Sequence, residues 1–217
     1  MEAALATPIT PTWTPPAAKR MTFDEYLNWL TEEAKADLID GVIYMQSPPA
    51  DVHERIFGFL FGILKAFVLR KKLGIVRGSR TTLKFSEANG TQPDIVFISN
   101  ASRDRVHPYY VEGAPEVVVE ILSPSTRKLD RGKKMALYAK HGALEYWQID
   151  PENQIAEFFR NHHGAWLPMI VSDDDIFHSE IIPGFRLNIN WLFTEEEPDT
   201  LDTVMMILTG NSKGVME

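Results

Sequence analysis

Glu120 sits inside Val117-Val118-Val119-Glu120-Ile121-Leu122, a run in which every other residue favours a dry interior. An ionised carboxylate without a partner costs several kcal/mol in such a place. The chain must therefore pair it with a Lys or Arg, protonate it, or bind it to a cation. Asp94 is placed in a similar way, opening the apolar run Ile95-Val96-Phe97-Ile98 directly after Gln92-Pro93. Two carboxylates on adjacent strands can converge on one point, where their charges repel. A hard divalent cation such as Mg²⁺ is the natural neutraliser there. Mg²⁺ takes one or two protein carboxylates and keeps several waters, which leaves room for a phosphate. The plain structural readings stand beside this one: Glu120 in a salt bridge, and Asp94 as an ordinary turn residue after Pro.

Other side chains offer supporting chemistry. His53 falls in the first turn of an expected helix, where the helix dipole disfavours its protonated form. It can bond a phosphate or a ligand carboxylate, or simply cap and pack. Gln92, just ahead of Asp94, is a candidate substrate contact. Arg70-Lys71-Lys72 with Arg77, Arg80 and Lys84 form one basic cluster, and Arg127-Lys128 with Arg131 and Lys133 form another beside the proposed cation site. They can hold a few phosphates or be ordinary surface charge. His162-His163 precedes Gly164 in an expected hairpin turn, which favours a solvated turn over a metal clip. With no Cys among 217 residues, disulfides, thiolate zinc sites and cysteine nucleophiles are excluded.

The whole chain bounds these possibilities. At 24.7 kDa it is one domain with short extensions, or at most two small domains. A composition 44% hydrophobic and 24% charged excludes collagen, coiled coil and wholesale disorder. The net charge of −8, from 30 acidic and 22 basic residues, argues against a broad nucleic-acid-coating surface but leaves room for a local basic groove. No apolar run is long enough to span a membrane. The start lacks the basic and apolar regions of a secretory signal. Together with the absent Cys, this makes a cytoplasmic location the expectation.

The elements that must position the candidates follow from periodicity. Residues 1–20, rich in Pro, Ala and Thr, read as a flexible arm. Thr22 and Glu25 make a capping box for a helix running to about Ala34. Leu38 to Met45 reads as a hairpin about Asp40-Gly41. A second capping box, Asp51 with Glu54, opens a long helix ended by Gly74. Its apolar face is Ile56, Phe59, Leu60, Ile63, Leu64, Phe67 and Val68. Strand patterns cover Ile75 to Phe85, Asp94 to Ile98 and Glu116 to Leu122, with a polar connection from Ser99 to Pro115. Ser123 to Gly132 reads as a loop and Lys133 to His141 as a helix closed by Gly142. Leu144 to Ile149 and Ile155 to Arg160 pair through Pro151-Glu152-Asn153, and short strands run on to Phe193. Glu195 opens a polar tail. The order predicts an α/β or α+β domain with a mixed sheet.

Pro93-Asp94, followed 26 residues after the Asp by Glu120-Ile121-Leu122, resembles the core of the PD-(D/E)XK nuclease superfamily. More narrowly, Val118-Val-Glu-Ile-Leu-Ser-Pro-Ser-Thr126, then Asp130, Lys134 and Tyr138, then Glu145-Tyr146-Trp147 and Asp150-Pro151, resembles the Uma2 family. Asp37-Leu38-Ile39-Asp40-Gly41 with Ser47-Pro48-Pro49 and His53 matches that family's opening as well. The likeness spans about residues 22–193, which sets a domain at 21–193 and a C-terminal tail at 194–217.

The resemblance implies a restriction-endonuclease-like core, a central mixed β-sheet flanked by helices. It also implies a Mg²⁺-dependent endonuclease, with Mn²⁺ as substitute, that hydrolyses nucleic acid, DNA in the first place, by a metal-activated water. Asp94 and Glu120 would be ligands, with the main-chain oxygen of Ile121 as a third. Asp37 stands where the family usually has Glu, so a metal contact must bridge one methylene more. Position 122, where the superfamily has Lys, is Leu. Lys134 is the candidate replacement, against the plain reading of an i,i+4 pair with Asp130 on a solvated helix face. Tyr138 is expected to pack beneath the site. A homodimer suits cutting of both strands of a duplex. Two other outcomes remain open. The core can be catalytically degenerate, kept as a nucleic-acid or protein interaction module, as Leu122 and the charge of −8 suggest. Alternatively Glu120 and Lys134 form a buried bridge and no site.

Overall fold

The side chain of Thr22 accepts from the Glu25 N–H while the Glu25 carboxylate accepts from the Thr22 N–H, so the first capping box is complete and α1 (Phe23–Trp29) follows from it. In the computed structural model, which describes residues 20–30 and 34–210, this helix ends earlier than its pattern suggests. The Leu30 N–H returns to the Tyr26 carbonyl and the backbone leaves extended. The arm expected over residues 1–20 lies, apart from Arg20, outside the described residues. β1 (Ala36–Ile39) and β2 (Val42–Met45) pair through Asp40 and Gly41, both at positive φ (53° and 76°), as a primed hairpin turn requires.

α2 (Asp51–Lys71) is the long helix. The second capping box does not form: Ala50 occupies the N-cap, without a side-chain bond, and Asp51 and Glu54 lie in the first turn, where the dipole favours acids. Lys72, in the left-handed region, ends the helix in place of Gly74. Gly74 instead opens β3 (Gly74–Arg77), where a Cβ would meet the Ile98 carbonyl oxygen at 2.1 Å. The chain continues through β4 (Leu83–Ser86), β5 (Asn89–Thr91) and β6 (Ile95–Ser99). The expected polar connection holds a 3₁₀ turn (Asn100–Arg105) and the short β7 (Val111–Glu112), before β8 (Val117–Ile121). More than half of the expected 123–132 loop is helical. α3 (Arg127–Leu129) passes through a π-helical turn (Asp130–Lys134) into α4 (Met135–Lys140). β9 (Glu145–Asp150), β10 (Ile155–His162), β11 (Ala165–Pro168), β12 (Ile176–His178) and β13 (Arg186–Asn188) follow.

Six strands form the central sheet in the order β11-β10-β9-β8-β6-β3, with β8 and β9 parallel and the other pairs antiparallel. A second sheet runs β2-β1-β5-β4-β7. Strand alternation divides the core. Val117, Val119 and Ile121 of β8 join Ile95, Phe97, Trp147 and Ile149 against the apolar face of α2. Each fully buried side chain there contributes ~1.5–3 kcal/mol. Val118, Val96, Ile98 and Tyr146 turn the other way, against Tyr138, Leu83 and Val111. Glu120 belongs by alternation to this second face.

The chain after residue 194 is not simply a polar tail. Asp199 caps α5 (Thr200–Thr209), and Val204 and Ile207 complete the α2 core. The acidic run Glu195-Glu196-Glu197 hides this in the sequence, because the helix is amphipathic only relative to α2.

Two glycines make opposite predictions. Gly74→Ala forces a Cβ onto immobile backbone of β6 and should lower stability by about 1–3 kcal/mol. Gly58→Ala, in α2 with nothing within 4 Å of the added carbon, should raise it by about 0.5–1 kcal/mol. Urea unfolding of the two variants beside the parent checks both signs.

Candidate active site

β6 and β8 pair with Ile95 opposite Val119. One step further along that register Asp94 faces Glu120, and opposed residues of an antiparallel pair share a face. Both residues are 2% exposed, and both line one cleft of about 410 Å³. Lys35, Gln46, His53, Arg80, Ser123 and Thr126 form much of the remaining lining, together with Ile121 and Asp130. The two acids therefore face one cleft.

Their electrostatic states differ. Asp94 Oδ1 lies 2.6 Å from the Lys35 ammonium, while Oδ2 accepts the Ile121 N–H at 2.8 Å and stands 3.4 Å from His53 Nε2. Burial alone would raise this carboxyl, but the His53 bond and the Lys35 charge outweigh it and hold Asp94 well below the usual carboxylate range. The same contact raises His53, against the opposing pull of its own burial. Glu120 Oε1 accepts from the Tyr138 hydroxyl at 2.6 Å and lies 2.7 Å from Lys134 Nζ. Burial dominates here, Lys134 offsets it only in part, and Asp130, Asp94 and Asp37 add repulsion. Glu120 is pushed up to about 8.

Lys134 is fully buried, 2.7 Å from Glu120, 2.9 Å from Asp130 Oδ1 and 3.4 Å from Asp37 Oδ2. The i,i+4 pair with Asp130 exists, but inside the protein rather than on a solvated face. The π turn explains this. The Asp130 carbonyl accepts from the Tyr146 hydroxyl (3.1 Å) and from Gln148 Nε2 (3.3 Å), drawing that turn onto the sheet and turning Lys134 inward. Burial, together with three carboxylates around one ammonium, raises the affinity of Glu120 for a proton.

Asp37 lies on β1 behind the cleft wall. Its oxygens accept the Gln92 N–H (2.8 Å) and Gln46 Nε2 (3.0 Å), so it faces Lys134 and does not line the cleft. Gln92 is buried as well. Its side chain accepts from the Ala36 N–H and donates to Thr82, away from the cleft where a substrate contact was expected. Tyr138 is buried against Glu120 and adds a bond to Thr91 (3.1 Å). His53 reaches the cleft.

The basic loop is largely engaged elsewhere: Arg127 pairs with Asp150 and Glu152, Arg131 with Asp150 and Glu157, and Lys133 donates to the Tyr44 hydroxyl. Lys128 is exposed. His162 and His163 stand in the β10–β11 hairpin turn. Sequence reasoning missed Lys35. Its only signal is a cation two residues before Asp37, on the same side of an entering strand.

Asp94 and Glu120 offer the carboxylate oxygens that a hard cation takes. Among the described residues no group of three or more His, Asp or Glu is arranged to hold a metal by itself. Mg²⁺ does not need three, since one or two carboxylates and water complete its shell. Asp94 and Glu120 share one cleft, and Lys134 offsets only part of what burial and the neighbouring acids do to Glu120.

The chain matches the Uma2 family, described as "Putative restriction endonuclease", over residues 23–190. The uncharacterized protein slr1290 of Synechocystis sp. is 30% identical over 154 residues, covering 68% of this chain and 78% of that protein. A 1.96 Å crystal structure of a "putative nuclease belonging to DUF820" from Anabaena variabilis has a TM-score of 0.67 at 22% identity, covering 80% of this chain and 97% of that one. At that identity the likeness is one of fold, and it agrees with the mixed sheet and flanking helices described above. No helix among the described residues is long and apolar enough to cross a membrane. With residues 23–190 matched, the chain belongs to the Uma2 family of restriction-endonuclease-like proteins.

Proposed function

We propose that the cleft hydrolyses phosphodiester bonds within nucleic acid, DNA first, with Mg²⁺ or Mn²⁺ as cofactor. The observation that supports this most is the convergence of Asp94 and Glu120 on one cleft, with a buried ammonium behind them. Asp94, Glu120 and the main-chain oxygen of Ile121 would hold the ion. When bound, it supplies positive charge against the phosphate and acidifies water.

The chain's own residues do the rest. Tyr138 and Lys134 both grip Glu120 Oε1, which fixes the carboxylate and leaves Oε2 outside those contacts. The Ile121 N–H fixes Asp94 Oδ2. Asp37 and Asp130 hold Lys134. His53, raised by Asp94, adds cationic character where a phosphate would enter. Hydrolysis adds water across the ester. A bond forms from the water oxygen to phosphorus, the bond to the sugar oxygen breaks, one proton passes to solvent and the leaving oxygen takes one up.

A second reading, a binding module without turnover, draws on Leu122, which is 3% exposed and offers no amine beside Glu120. Titration calorimetry with Mg²⁺ separates the two, since a degenerate cleft shows no binding that Glu120→Gln removes.

Cleavage supplies the direct test. With Mg²⁺, the parent should nick or cut supercoiled DNA. Asp94→Asn and Glu120→Gln should each lose at least about 100-fold in rate while keeping a cooperative melt. Wild-type cutting by Glu120→Gln would refute the assignment.

Glu120 also sets a pH dependence. Its folded value of about 8 lies above the ordinary glutamate value of 4.5. The folded state therefore holds a proton that the unfolded chain has released. That contribution is fully present below about pH 4.5 and is lost as pH rises towards 8. Without divalent cations, one proton amounts to up to about 1.4 kcal/mol per pH unit across that window, or about 3–5 °C in melting temperature for a chain this size. The raised His53 acts in the same direction. Glu120→Gln should flatten the slope, and Mg²⁺ should oppose it, as melts at a series of pH values will record.

A further inference from the structure

Under the phosphodiesterase reading, some cation at the cleft surface has to meet the phosphate. Leu122 cannot, and Lys134 is badly placed for it. An ammonium has three N–H donors, and three carboxylates already surround this one at 2.7, 2.9 and 3.4 Å. Lys134 also forms no part of the cleft wall.

Lys35 is the opposite case. It lies just before β1, lines the cleft, and keeps 20% of its side chain exposed. Its described contacts use one donor, on Asp94 Oδ1 at 2.6 Å, leaving two N–H groups for a ligand. The backbone beneath it is fixed: the Lys35 carbonyl accepts the Gln46 N–H at 2.9 Å, and the next N–H, of Ala36, is held by Gln92.

We propose that Lys35 is the catalytic lysine of this cleft, donating to a non-bridging oxygen of the scissile phosphate, and that Lys134 is a positioning residue for Glu120. This rests on the phosphodiesterase reading. The competing role for Lys35 is that of a counter-ion to Asp94 and nothing more.

The test uses the full chain, with Lys35→Met, Lys35→Arg and a short fluorescein-labelled DNA duplex. Anisotropy in EDTA across a salt series reads binding without any metal. Lys35→Met should lower the slope of log affinity against log salt by about 0.9, the contribution of one phosphate contact, and Lys35→Arg should restore it. In Mg²⁺, Lys35→Met should cut about 100-fold more slowly. Amine acetylation mapped by mass spectrometry should label Lys35 in the native protein, less when duplex is bound, and leave Lys134 unlabelled.

A Lys35→Met protein with the parental salt slope and cutting rate, or Lys35 labelling indifferent to duplex, overturns the assignment and leaves a counter-ion. A parent that neither binds nor cuts nucleic acid overturns the phosphodiesterase reading and the lysine with it. A parent that cuts beside an equally active Lys35→Met overturns the lysine alone.

Discussion

The ammonium of Lys134 binds together three segments that the chain keeps far apart: β1 through Asp37, β8 through Glu120 and its own helix through Asp130. A buried charge of this kind contributes little net stability, because desolvation opposes the Coulombic gain. Removing one partner from such a cluster nevertheless costs about 3–5 kcal/mol, since the remaining charges are left uncompensated. The arrangement therefore fixes geometry more than it stabilises the fold. It also leaves a deficit, because one cation faces three acids. Glu120, the acid that also opens on the cleft, carries that deficit as a raised affinity for a proton, and a proton and a metal ion compete for the same oxygens.

The distribution of the remaining charge follows a similar logic. Most of the basic residues near the cleft are neutralised by acids of the same chain, Arg127 and Arg131 by Asp150, Glu152 and Glu157. Lys84 is paired with Glu87 in the same way. What faces the cleft is a short set, Lys35, His53 and Arg80. Under the proposed phosphodiesterase reading, a net charge of −8 and so few cleft cations suit a local grip on a phosphate better than broad electrostatic capture of a duplex.

Much of this was legible in the sequence, for identifiable reasons. Glu120 and Asp94 announce themselves because a carboxylate in an apolar strand is costly, and that cost does not depend on tertiary detail. Asp40-Gly41 and the Thr22/Glu25 box are local chemistry and form as written. The misses are tertiary. Lys72 ends α2 because Gly74 is needed at the close approach of β3 to β6. α5 is a helix because α2 offers an apolar surface to Val204 and Ile207. Lys35 carried almost no signal, because its importance comes from where β1 enters relative to Asp94, a matter of sheet pairing rather than of neighbouring residues.

The π turn joins these threads. Asp130 and Lys134 are four apart, a spacing that on a regular exposed helix gives a weak surface pair of about 0.3–0.5 kcal/mol. Tyr146 and Gln148 draw the Asp130 carbonyl onto the sheet, and the widened turn brings the same pair beneath Glu120. The strand position two beyond Glu120 is meanwhile apolar, with the Leu122 N–H donating to the Ile149 carbonyl at 2.7 Å. A lysine at 122 would share the face of Glu120 and compete with Lys134 for the same acids. The helix-borne ammonium and the apolar residue at 122 therefore belong together: once the helix supplies the buried cation, the strand must not, and any cation needed at the cleft surface has to enter from a third element.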